Sequence, residues 1–412
     1  MLSFVWPIRD NYYVFTHNNH VIFGDSKCWY TYCSITSIQA TGMAINECNL
    51  AFILFMQKRS KISKEVKIMR KKWLRILLAS LFLFVAAGAA QATQWTNPNL
   101  LVDVETVKAN IDKPDWVVVD ARDLKDYVKG HIPGAISLGK RGKKALRDPT
   151  SRVFSDISKY ETLFGKVGIG NDTNVVFYFD SLKTMNDATV GFWVMEYLGH
   201  DKVYVLDGGL EAWRKGGNRL DTNPTMKPEK TFKAHVVPSR IATTAEILQI
   251  AGGSGTTLID SRTKDEFSGK DMRALQGGHV PTAINVSDKD TLVKQKNTKT
   301  GKMEPTVYFT PESVGKHFND FDRNKRIVGY CQTGTRSTLT YLQFRLMGFK
   351  DPANWDDSWR VYGSNLHVAN PIEASNGPQF YNFDKVNKSL KKLEKQVASL
   401  EDGLKKLTGG KK

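Results

Sequence analysis

Short apolar runs alternate with stretches of helical spacing through the middle of this 412-residue chain, and the same order occurs twice. Val117-Val118-Val119-Asp120-Ala121-Arg122 is answered by Leu258-Ile259-Asp260-Ser261-Arg262. Each reads as a buried strand with a charged turn at its carboxyl end. Gly130-His131-Ile132-Pro133-Gly134-Ala135-Ile136 is matched by Gly278-His279-Val280-Pro281-Thr282-Ala283-Ile284. Two further apolar strands, Val175–Phe179 and Ile327–Tyr330, stop at Asp180 and Cys331, and apolar spacing then predicts helices around Val190–Leu198 and Leu339–Leu346. Leu206-Asp207-Gly208-Gly209 with Trp213 pairs with Trp355-Asp356-Asp357-Ser358 with Tyr362. Aligned positions are offset by 140, 148, 151 and 149 residues, the first step arising from the extra residues Ser268–Gln276 in the second copy. This alternation predicts an α/β chain of two domains, residues 93–220 and 238–370, each a parallel sheet covered by helices. Residues 221–237, with Pro224 and Pro228 and little apolar content, read as the linker.

The pattern changes in residues 371–412. Phe383, Val386, Leu390, Leu393, Val397, Leu400, Leu404 and Leu407 recur at alternating spacings of three and four, with lysines and glutamates between them. That is a heptad seam, and it predicts a coiled-coil-like helix that joins copies of the chain or docks a partner through residues 383–407. The alternative is a helix that lies back on its own domain.

At the other end, residues 1–68 show no helical or strand periodicity of any length. From Met69 the chain has secretory grammar: Arg70, Lys71, Lys72 and Arg75 precede an apolar run from Ile76 to Ala87, and Ala90-Gln91-Ala92 supplies a small-x-small cleavage site. The run is shorter than the roughly 20 apolar residues of a membrane-spanning helix. Residues 69–92 are therefore expected to be a signal peptide, with residues 1–68 a misassigned start or a disordered extension and the mature protein exported to the periplasm or beyond the cell. A genuine extension with a signal anchor is the competing expectation.

Composition alters this picture in two places. The net charge of +17 would suggest nucleic acid, but residues 1–92 hold a surplus of seven positive charges and residues 384–412 a surplus of five. The +5 that remains over the folded middle is ordinary, so no nucleic-acid partner is expected. Of four cysteines, Cys28, Cys33 and Cys48 fall in the amino-terminal segment, which leaves Cys331 alone in the expected mature chain. A solitary cysteine cannot staple its own chain; it is either an inert buried thiol or a working one.

Its surroundings favour work. Tyr330-Cys331-Gln332-Thr333-Gly334-Thr335-Arg336-Ser337 lies between a buried strand and a helix. A nucleophilic thiol must ionise below its free pKa of about 8.5, and a tight loop that opens a helix turns N–H groups and a dipole toward one point. Gly334 permits such a turn. Gln332 and Thr335 are expected to contribute backbone N–H groups. Arg336 and Arg262 would add positive charge for an anionic donor. Two roles are open to Arg262: contacting substrate, or pairing with Asp260 to fix the turn. His131 and His279 occur in both halves and are expected to hold turns, and Asp356, repeated as Asp207, to be structural.

Asp260-Ser261-Arg262, Gly278-His279-Val280-Pro281, the Cys331–Arg336 loop and Asp356-Asp357-Ser358-Trp359 resemble, in this order, the signatures of the rhodanese sulfurtransferases. The resemblance covers roughly residues 95–366 and implies two tandem rhodanese-like domains with the site near their interface. The first would be silent, because Asp180 stands where a cysteine is needed. It also implies a sulfurtransferase in which Cys331 takes sulfane sulfur from thiosulfate as a persulfide and hands it to cyanide or a thiol. Cys331 would be catalytic, with Arg262, Gln332, Thr333, Gly334, Thr335 and Arg336 binding substrate and no cofactor or metal required. The six-residue loop is that of sulfur-transferring members; the related phosphatases have one residue more. Two positions depart from the tandem pattern. Thr333 replaces a basic residue, which resembles the mercaptopyruvate branch, and Glu266 stands before Phe267 where an arginine is usual. Arg273 in the inserted stretch is placed to replace the lost anion contact. The alternatives are a 3-mercaptopyruvate sulfurtransferase and a non-catalytic scaffold.

Overall fold

The computed structural model describes the backbone of residues 6–8, 12–17, 20–25 and 28–34, residues 94–365 except Ser254, residues 370–380 except 376 and 378, and a helix over 383–408 whose side chains are described from 390 to 404. Two compact units result, residues 1–90 and 91–412. The expected signal peptide over residues 69–92 lies outside the described residues.

The first unit corrects one expectation. Strands β1 (Trp6–Ile8), β2 (Tyr12–His17), β3 (His20–Asp25) and β4 (Cys28–Ser34) form a four-stranded antiparallel meander, although residues 1–68 lack strand alternation. The cause is composition rather than period: aromatic and β-branched residues fill Tyr12–Thr16 and Val21–Phe23, and such residues suit extended backbone.

The second unit repeats one sheet twice. β5 (Leu101–Val102), β6 (Trp116–Asp120), β7 (Ile136–Ser137), β8 (Asn174–Tyr178) and β9 (Val203–Leu206) pair in the order β5-β9-β8-β6-β7, all parallel. β10 (Ile241–Ala242), β11 (Thr257–Asp260), β12 (Ile284–Asn285), β13 (Arg326–Tyr330) and β14 (Asp351–Trp355) repeat it as β10-β14-β13-β11-β12. The apolar runs are continuous because both sheet faces are covered. The α/β fold of two tandem domains is therefore as expected.

Helices α1 (Leu182–Tyr197) and α3 (Ser337–Leu346) follow the equivalent strands β8 and β13, and they pack on one another across the domain boundary. That contact explains why α1 is buried almost all round rather than on one stripe. Thr189 and Thr338 hydroxyls meet at 2.7 Å, and Glu196 accepts from Tyr341 Oη at 2.5 Å and Arg345 Nε at 2.9 Å. One apolar core runs through both domains, from Phe177 and Phe192 to Leu342 and Phe344. Residues 221–237 hold no regular element over most of their length, yet they are bound to the first domain: Phe232 is buried, Lys230 N–H donates to Gly165 O at 3.0 Å and Val237 N–H to Tyr197 O at 2.8 Å. The tail forms helix α5 (Phe383–Thr408), and Leu390, Leu393, Val397 and Leu400 are all more than half exposed. These side chains leave the apolar seam open to solvent.

Candidate active site

β13 delivers Cys331 to the carboxyl edge of the second sheet, where the chain makes a six-residue loop before α3 begins at Ser337. Four successive carbonyls of that loop are held from outside. Cys331 O accepts from Trp359 N–H at 3.0 Å and Gln332 O from Arg360 N–H at 2.9 Å, both donors lying on α4 (Ser358–Tyr362). Thr333 O accepts from Arg147 Nη1 at 3.1 Å and Gly334 O from Asn354 Nδ2 at 3.1 Å. Every peptide here is trans, so each carbonyl held outward turns the next N–H the opposite way, into the loop. The amides of Gln332, Thr333, Gly334 and Thr335 therefore face its interior. Gly334 has φ of +64°, and a Cβ there would come within 2.7 Å of Asp356 Cα, so only glycine fits.

Cys331 lies at the base of this cradle with its own N–H donating to Ser358 Oγ at 3.2 Å. Burial pushes the thiol up; Arg336 and the hydrogen bonds from the Ser337 and Thr333 amides outweigh it, and the net shift is downward. The reactive thiolate is thus a larger fraction at a given pH than for an ordinary thiol.

Arg336 reaches the site with a partner. Its Nη1 and Nη2 donate to Glu266 Oε2 and Oε1, each at 2.8 Å, and Arg273 Nη1 joins Oε1 at 3.1 Å. Burial alone would raise the Glu266 carboxyl, but Arg336 and the Thr263 amide hold it down at about 2. Glu266, on the short helix α2 (Lys264–Phe267), so replaces the expected arginine by anchoring two others. Gln332 also uses its side chain, donating Nε2 to Arg273 O at 2.8 Å, which ties the inserted stretch over the loop.

Arg262 is built into the turn. Its Nη2 donates to Asp260 Oδ2 at 2.6 Å and to Gly278 O at 2.7 Å, and its guanidinium lies 4.5 Å from the Trp359 ring. Of the two roles open to Arg262, these contacts are those that fix the turn: it is buried and paired with Asp260, as Arg122 is with Asp120 at 2.6 Å in the first domain. Thr333 Oγ1 stands 3.3 Å from Thr335 Oγ1. His131 and His279 stack on Tyr127 and Phe267 and bond the carbonyls of those same residues, so they hold turns. Among the described residues no cluster of three His, Cys, Asp or Glu could hold a metal ion.

The first domain lacks more than the cysteine. Between β8 and α1 it has three residues, Phe179–Ser181, where the second domain has six, Cys331–Arg336. Asp180 is ionised against Thr184 Oγ1 at 2.7 Å and Arg122 Nη1 at 3.4 Å. What the first domain does contribute is Arg147, fully buried, with Nη1 also 3.0 Å from Asp356 Oδ1 and Nη2 bonded to Thr335 Oγ1. Asp356 accepts Val153 N–H at 2.6 Å, and Arg152 pairs with Asp357. Neither Arg147 nor Asn354 is marked in the sequence; both act on a loop distant from them along the chain or across a strand.

Residues 103–216 and 243–365 match the rhodanese-like domain family. A putative thiosulfate sulfurtransferase of Mycobacterium leprae is 32% identical over 287 residues, which span 67% of this chain and 98% of that protein. The thiosulfate sulfurtransferase of Corynebacterium glutamicum is 31% identical over 296 residues, 68% of this chain and 92% of that one. Among solved structures, the 3-mercaptopyruvate sulfurtransferase SseA of Escherichia coli superposes with a TM-score of 0.53 at 22% identity, covering 63% of this chain and 98% of that one. The anaerobic ergothioneine biosynthesis enzyme of Chlorobium limicola gives 0.57 at 21% identity, covering 68% and 71%. These two similarities show the shared fold. With a duplicated sheet, one cradled thiol and relatives of this kind, the chain belongs to the rhodanese family and is a sulfurtransferase of two rhodanese-like domains.

Proposed function

We propose that the protein moves sulfane sulfur from thiosulfate to a thiophilic acceptor through a persulfide on Cys331. The observation that carries this reading is the thiol lying in a loop whose four successive carbonyls are held outward, so that its amides face the sulfur. The thiolate attacks the outer sulfur of thiosulfate; a new S–S bond forms and sulfite leaves with the electron pair of the old one. An acceptor thiolate or cyanide then attacks the outer persulfide sulfur, and Cys331 leaves as thiolate. The inward amides would stabilise the persulfide anion between the two steps. Thiocyanate production from thiosulfate and cyanide tests the reading, with mass spectrometry expected to find one added sulfur on Cys331 after thiosulfate alone. Cys331→Ser should abolish both. Turnover that survives this substitution would refute Cys331 as the sulfur carrier, and none with any sulfane donor would leave a scaffold role instead.

Mercaptopyruvate is the second donor to compare. The small hydroxyl of Thr333 in place of a basic residue favours it, as does the commitment of Arg336 to Glu266. The relative kcat/KM for the two donors decides between them.

Two further parts complete the proposal. Residues 69–92 direct export, so the enzyme works outside the cytoplasm. Helix α5 joins two copies of the chain in parallel through its exposed seam. In that arrangement Glu394 and Glu401 face neutral Ser389 and Gln396, whereas an antiparallel pair would set the glutamates against each other.

A further inference from the structure

Of the four carbonyls that shape the cradle, three are held by groups of the second domain: Cys331 O and Gln332 O by amides of α4, and Gly334 O by Asn354. The fourth, Thr333 O, is held by a side chain 186 residues earlier, on the other domain. We infer that Arg147 is a positioning residue of the sulfur cradle: it keeps the Thr333 carbonyl outward and the Gly334 N–H turned toward the Cys331 sulfur, so that the silent domain completes the site of the active one. This rests on the persulfide reading for its consequence in turnover, though not for its effect on the thiol.

Three observations carry it. The guanidinium forks over the loop itself, with Nη1 on Thr333 O and Asp356 Oδ1 and Nη2 on Thr335 Oγ1. Its Nε is buried with no hydrogen-bond partner. Leaving a buried donor unpaired costs stability, and an arginine serving only the domain interface would gain by turning Nε onto Asp356. The group sits instead where the loop needs two donors. Finally, its base is fixed: Leu146 O accepts from the buried Tyr160 Oη at 2.7 Å, and Asp356 is held by the Val153 amide from the same first-domain segment. Gly334 packs directly on Asp356, so the loop, that carboxylate and Arg147 form one block.

Without the fork, the Thr333–Gly334 peptide is free to rotate, and the cradle loses one oriented amide and a nearby positive charge. Both losses weaken the thiolate and any anion bound over it. The test is the pH dependence of Cys331 alkylation by iodoacetamide in the full chain, read on the Cys331 peptide by mass spectrometry, beside thiosulfate–cyanide turnover. Arg147→Met, which keeps the apolar stem, should slow alkylation near pH 6 by about tenfold, the change that one pH unit in the thiol midpoint produces, and lower kcat at least as much. Arg147→Lys keeps a charge beside Asp356 but cannot fork to Thr333 and Thr335, so most of the shift should persist in it; it also serves if the Met variant fails to fold. Arg152→Gln removes the neighbouring interdomain ion pair to Asp357 and should leave the alkylation profile in place. An unaltered profile in a folded Arg147→Met protein overturns the inference. So does full recovery in Arg147→Lys, which would make the residue a charge alone, or an equal shift in Arg152→Gln, which would make the effect one of interface loosening. Because alkylation reads the thiol without turnover, a wild-type protein inactive on thiosulfate would refute the donor and not this assignment.

Discussion

A thiol as deeply buried as that of Cys331 would titrate above its ordinary range were it not for Arg336 and the loop amides. The charge of Arg336 is in turn shared with Glu266, whose carboxylate carries two guanidiniums and two groups of Thr263. The folded pKa of Glu266, about 2, lies below its ordinary 4.5. Its ionisation therefore adds stability at pH above 4.5, and that contribution is lost as pH falls toward 2. Glu266→Gln should lower unfolding stability at pH 7 by about 1–3 kcal/mol, since it leaves part-buried Arg336 without its fork partner. The gap from wild type should narrow in acid. Denaturant midpoints at pH 7 and pH 3 check both, and equal midpoints at pH 7 would show that the fork is immaterial. The sequence marks Glu266 only as a departure from a pattern; its partners, 70 and 7 residues away, explain it.

At the scale of elements, the strands were legible because burial on both faces writes itself as an unbroken apolar run. Of helix α1 only the stretch around Val190–Leu198 is legible in the sequence, because its burial all round erases the stripe that marks an amphipathic helix. The amino-terminal meander escaped for the converse reason: it lacks period-two alternation, and its density of aromatic and β-branched residues is the only signal. Helix α5 is the clearest periodic element in the chain, and its seam stays exposed over 390–400. Deleting residues 384–412 should roughly halve the mass seen by light scattering if α5 pairs two copies. A mass that falls only by the deleted residues would reject self-association.

For the whole molecule, the two domains act as one body because their cores merge through α1 and α3 and because Trp95 and Asn97, at the start of the second unit, engage the second domain. Asn97 N–H donates to Leu346 O at 3.0 Å and its Nδ2 to Arg345 O at 2.6 Å. A mature chain that begins near Thr93 keeps all of these contacts. On the proposal of export, amino-terminal sequencing of the mature protein should find that start, and a mature protein retaining residues 1–68 would refute both the cleavage and the misassigned start.

Sequence alone determined the duplication, the order of strands and helices within the repeat, and Cys331 in a six-residue loop. Each of these is carried by neighbouring residues: periodicity over a few positions, a glycine where a turn requires it, a thiol at a strand end. Tertiary structure alone decided which arginine does what. Arg262 and Arg122 occupy equivalent turns and are absorbed by the aspartates two residues before them. Arg336 is balanced by Glu266, and Arg147, which no local pattern distinguishes, reaches the cradle from the first domain. A long side chain finds its partner through space, and the pairing energy leaves no period along the chain from which to read it.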